Sequence, residues 1–176
     1  MRRLEDGLLW GGVRPSERLR ASAANSYTLA MVDRPLLDAL AEAEPESQRA
    51  IARWTARRAS DAAGLSSLEW VAPALAALDR GQALPPPFDD WAQAWERLLG
   101  NDLVVRNVHV RVANADDLEF PPRIDPQAAA LPAIFAAADA DPLRAVVDAV
   151  AAAIVTFGND YPRVLQDLRD AFPEVR

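Results

Sequence analysis

The chain contains no cysteine, no lysine and a single histidine, His109, among 176 residues. Without cysteine there are no disulfides, thiolate metal sites or thiol nucleophiles. The missing lysines remove Schiff-base chemistry and the lysine of a phosphate-binding P-loop, and the seven glycines form no Gly-rich phosphate loop. One histidine rules out zinc motifs that need two imidazoles. His109 is the one side chain whose ordinary pKa lies near neutrality, and no Gly-x-Ser-x-Gly elbow accompanies it. The reading for His109 is therefore an exposed strand residue.

Targeting signals are also lacking. Residues 1–12, MRRLEDGLLWGG, hold Arg2 and Arg3 but then Glu5 and Asp6, with no apolar core of signal-peptide length. The most apolar stretch, 141–158, holds Arg144 and Asp148 and falls short of a membrane span. A cytoplasmic protein without a membrane role is expected. All 19 basic residues are arginine, and alanine and proline are abundant, which points to a bacterial host with a GC-rich genome.

Net charge is −7 but unevenly placed. Residues 1–58 hold ten arginines and eight acids, whereas the remainder holds nine arginines and eighteen acids. Nucleic-acid binders carry a basic face dense enough to release counterions, and this balance argues against nucleic acid as a partner.

What the sequence does have is helical periodicity. In DPLRAVVDAVAAAIVTFG, Leu143, Val146, Val147, Val150, Ile154 and Phe157 recur at threes and fours, and the rest of the helix is mostly alanine and valine. That composition predicts burial nearly all round, with Asp141 capping the start, Pro142 in the first turn and Gly158 as the stop. Other helices are expected over 16–32, from Pro35 after an Asp33 cap, over 45–63 closed by Gly64, and from a Ser66–Glu69 capping box to Gly81 with Pro73 kinking it. LPPPFDDW reads as a stiff extended connector. Further helices are predicted from an Asp89 or Asp90 cap to Gly100, from Asp125 (with Pro132 a kink) and over 160–172.

One segment breaks the pattern. Val108, Val110 and Val112 alternate with Asn107, His109 and Arg111, as in a half-buried strand, and Leu118-Glu119-Phe120 is placed as its return. The fold expected is thus a single mainly α domain over 1–176. It is an irregular bundle of about seven or eight helices with one small β-hairpin near 103–121 and an N-terminal arm over 1–14.

Three groups of residues are candidates for function. Asp89-Asp90 with Glu96, and Asn159-Asp160 with Asp167, resemble in part the aspartate-rich magnesium motifs of terpene cyclases. The pattern departs where Ala92–Ala94 supplies no acid and where Arg163 replaces a hydroxyl, so helix caps are the preferred reading and neither a metal nor a cofactor is assigned. Trp91 and Trp95, with Asp90 and Glu96 as polar rim groups, would line a ligand pocket if there is one, with Phe157 and Ile154 helping to line it and Asp160 near its mouth. Arg49, Arg53 and Arg57 recur at spacings of four and could meet an acidic partner or a phosphate.

The leading functional expectation is a non-catalytic cytoplasmic interaction protein of an accessory, regulatory or immunity type, with a protein partner or self-association. The alternative is a small-molecule-binding protein or magnesium-dependent enzyme with an acid-rimmed apolar pocket. No catalytic residue is assigned.

Overall fold

The computed structural model describes residues 16, 19, 23–100, 108–109 and 123–176. The described chain is mainly helical: α1 (Ala23–Val32), α2 (Arg34–Glu42), α3 (Pro45–Ala62), α4 (Ala72–Asp79), α5 (Trp91–Gly100), α6 (Pro126–Ala137), α7 (Pro142–Phe157) and α8 (Tyr161–Ala171). The expected arm over 1–14 lies outside the described residues.

α7 is the centre of the bundle. It packs most extensively on α3 and α6, which also pack on each other, and more lightly on α1, α2 and α8. The reason is written in side-chain size. Ala52, Ala56 and Ala59 of α3, Ala130 and Ala133 of α6, and Ala145, Ala149 and Ala153 of α7 are all buried. Small side chains let helix axes approach closely, while Ile51, Leu131, Ile134, Val146 and Val150 fill the space between them. Residues 142–171 are apolar enough by composition to cross a membrane, but 61% of the critical window is buried inside the protein.

Helix ends follow the expected chemistry in four places. The Asp33 carboxylate accepts from the Leu36 N–H (3.0 Å), Asp90 from Gln93 (3.1 Å), Asp125 from Gln127 and Ala128 (2.7 and 3.2 Å), and Asp141 from Leu143 and Arg144 (2.9 and 3.2 Å). Gly64 and Gly158 end α3 and α7 with φ of 73° and 55°, backbone that side-chain-bearing residues adopt only under strain. Arg169 at the end of α8 reaches back to Asp33 at 2.5 Å, which ties the last helix to the cap of α2.

Several expectations are corrected. Ser66 and Glu69 form no capping box: residues 65–67 are a short 3-10 turn, the Ser67 hydroxyl donates to the Gly64 carbonyl, and α4 starts at Ala72. Pro73 then falls in the first turn, where its missing N–H costs nothing, and it causes no kink. LPPPFDDW is folded into turns, with Phe88 N–H donating to the Pro85 carbonyl, and so buries Phe88. On α1, Met31 is 70% exposed, and Ser26, Leu29 and Ala30 take buried positions.

The small hairpin near 103–121 is not supported. A two-residue antiparallel pairing joins Val108 to Ile124 and His109 to Arg123, beyond the return strand expected at 118–120. The physical reason lies in Pro121-Pro122, which have no N–H to offer, whereas Arg123 and Ile124 have. Residues 110–122, where the expected strands and turn fall, lie outside the described residues.

Candidate functional site

Two polar residues meet from opposite ends of the sequence. Asn25 on α1 donates its side-chain amide to Asp148 Oδ1 on α7 at 2.8 Å, across 123 positions. They stand at one side of a cleft of about 500 Å3 between α1, α5, α6 and α7. Thr28, Asp139 and Asp148 supply further polar groups, and Trp91, Pro132, Phe135 and Val155 supply the apolar wall. Ala129, Ala136, Ala151 and Ala152 line the rest, and their small side chains leave the space that larger residues would fill.

The aromatic wall continues into the core. Trp70 stacks on buried Phe88 (5.3 Å between centroids), Phe88 meets Phe135 (5.5 Å), and Phe135 meets Trp91 edge-on (4.7 Å). Trp91 then contacts Trp95 at 5.7 Å. Each contact restricts the next ring, so Phe135 and Trp91 are held in place although Trp91 is 50% exposed.

The two carboxylates of the cleft have opposite electrostatics. Arg144 donates from Nε and Nη2 to the two oxygens of Asp139, each at 2.8 Å, and the Asp141 N–H adds a third bond. The Arg144 hydrogen bonds hold the Asp139 carboxyl below its ordinary pKa, against a smaller opposing effect of burial. Asp148 has no such partner. Burial pushes its carboxyl above the ordinary range, the Asn25 hydrogen bond opposes this, and repulsion from Asp139 adds to it.

The residues expected to form a ligand site are only partly brought together. Trp91 lines the cleft, but Trp95 does not; its ring is half-buried beside Trp91, with Nε1 enclosed and unpartnered. Asp90 serves as the cap of α5 and is not a cleft residue. Asp160 is exposed in the 3-10 turn before α8, and its side chain caps nothing. Ile154 is buried, and neither it nor Phe157 lines the cleft; Asp148, Ala151, Ala152 and Val155 do so instead. Among the described residues no three acids or histidines gather as metal ligands.

The arginine stripe is largely engaged within the fold. Arg49 donates to the backbone carbonyls of Asp139 and Ala140 (3.3 and 2.7 Å), and Arg57 pairs with Asp79 at 2.5 Å. Arg58 pairs with Asp167 and lies 5.5 Å above the Trp54 ring. Arg53 lies over the Gly81 turn and shares a small polar hollow with Arg49 and Gln82. These three guanidiniums brace α3 against α4, the 139–140 link and α8.

Sequence reasoning missed Asn25, Thr28, Phe135, Asp139 and Asp148 as site residues. One signal was present: Asp148 is an acid set between Val147 and Ala149 in a helix whose only other charged residue is Arg144. Compared with protein-family models, curated proteins and solved structures, the chain matches none.

Proposed function

We propose that the protein is a non-catalytic binding protein whose ligand is a small molecule with a flat apolar body, held in the cleft between α1, α5, α6 and α7. The observation that carries this reading is the fixed aromatic corner of Trp91 and Phe135 facing an alanine-lined hollow with polar groups at one side. Sites for small ligands are commonly hollows of ~300–1,000 Å3 with mostly apolar walls and a few convergent polar groups. A binding role rather than a catalytic one is supported by how the cleft's acids are used. Asp139 is committed to Arg144 and Asp148 accepts from Asn25, and among the described residues that line the walls these two carboxylates are the titratable groups.

The test is isothermal calorimetry with indole as probe. Indole binding is expected to the unaltered protein and to be lost in Thr28→Trp, which places a large ring at the exposed rim without touching the core. Equal indole binding by both proteins would remove the cleft from the account.

A second reading is an accessory protein that docks on another protein or on its own copy. It is favoured by Met31 and Leu99, large apolar side chains that are 70% and 62% exposed. Light scattering after gel filtration distinguishes the self-association form: a dimer that Leu99→Glu or Met31→Glu dissociates would support it.

A further inference from the structure

The polar side of the cleft is more informative about ligand chemistry than the aromatic side. Among the described residues that line it, the charged ones are Asp139 and Asp148, and no arginine is among them. Arg144 compensates Asp139 with two hydrogen bonds. Asp148 takes its hydrogen bond from the neutral amide of Asn25, on one of its two oxygens, and Arg144 adds only a weaker charge attraction. A half-buried carboxylate with a single neutral donor from the protein keeps acceptor capacity for a ligand in the cleft.

Resting on the ligand-binding reading above, we propose that the cleft selects small organic cations, with an aromatic or apolar body against Trp91 and Phe135 and a protonated amine against Asp148. An ammonium group would supply the charge-assisted hydrogen bonds that Asp148 lacks. The same positive charge is attracted by the open face of the Trp91 ring. An anion would meet two carboxylates, and a neutral ligand would further desolvate Asp148 without compensating it. A bare metal ion fits less well: hard cations take six or more oxygens, and this cleft has one uncommitted carboxylate beside an apolar wall.

Three probes of one shape and different charge test this: tryptamine as the cation, tryptophol as the neutral form and indole-3-propionate as the anion. Calorimetry at pH 7 and low salt should show tryptamine binding about ten times more tightly than tryptophol, with the propionate weakest. In Asp148→Asn, checked for folding by thermal melting, tryptamine should lose its advantage over tryptophol, while tryptophol binding is not weakened. Equal binding of tryptamine and tryptophol to the unaltered protein would overturn the charge selectivity and leave the ligand-binding reading intact. A preference for tryptamine that survives in Asp148→Asn would also overturn it, because the charge would then be read elsewhere. Binding of none of the three would sink both readings together.

Discussion

The two faces of α7 are built from similar residues and put to opposite use. On one face Ala145, Ala149 and Ala153 alternate with Val146 and Val150, and all are buried against the helices around them. On the other, Asp148, Ala151, Ala152 and Val155 line the cleft. Alanine closes the first face because neighbouring helices can lie directly on it. It opens the second because α1, α5 and α6 hold Asn25, Trp91 and Phe135 around a hollow instead of filling it. The same small side chain therefore gives density in one place and volume in the other, according to what stands opposite. Composition alone does not separate a core face from a cleft face.

The comparison can be broken most forcefully at Ala149. Ala149→Leu adds three carbons to a filled interface and should destabilise the protein by about 1–3 kcal/mol in urea unfolding. A loss of less than about 0.5 kcal/mol there, the range of ordinary surface changes, would mean that the core face is not tightly packed.

A smaller and pH-dependent effect is expected at Asp148. Its carboxyl is raised in the folded protein, chiefly by burial, so the folded state holds the proton more readily than the unfolded chain. That group therefore weakens the fold above its folded pKa, and the weakening fades as pH falls towards its unfolded value of about 4. Asp139 titrates in the opposite sense. Its lowered carboxyl stabilises the fold above about 4 and loses that effect as pH falls further. Asn25 of α1, Asp139 in the link before α7 and Arg144 of α7 are the groups that act on Asp148. Asp148→Asn should thus melt higher than the unaltered protein at pH 7, with the gap closing near pH 4. A gap that stays constant with pH would show that burial does not act on this carboxylate.

The smallest stability effect belongs to Ala152→Leu. Its added carbons point into the hollow, and the change should stay within about 0.5 kcal/mol while probe binding weakens. A cost comparable to that of Ala149→Leu would make the two faces alike.

Much of the helical frame was legible in the sequence. The caps at Asp33, Asp125 and Asp141 and the stops at Gly64 and Gly158 sit where side-chain chemistry places them, because capping is local. Periodicity also located the buried face of α7 at Leu143, Val146, Val147, Val150 and Ile154. The start of α4 was misread because Ser66 and Glu69 have capping spacing, while the structure uses Pro73 as the first-turn residue. The cleft was only half legible. Trp91 was identified, but the partner of Asp148 lies 123 residues away, and the ring contact of Phe135 with Trp91 joins two helices. Such pairings depend on how helices cross, which spacing along one helix does not encode. The arginine stripe misled for a related reason. Its regular spacing marks one face of α3, but that face is braced against Asp79 and the carbonyls of residues 139 and 140.

The most direct test of the open face of α7 is a backbone amide NMR titration with tryptamine. Saturable shifts should cluster at Asn25, Thr28, Ala136, Asp148 and Ala152, with Ala145, Ala149 and Ala153 on the closed face little moved. Shifts centred on the Arg49–Arg53 hollow or on the exposed Met31 and Leu99, or no saturable shifts at all, would contradict the assignment of this cleft as the binding site.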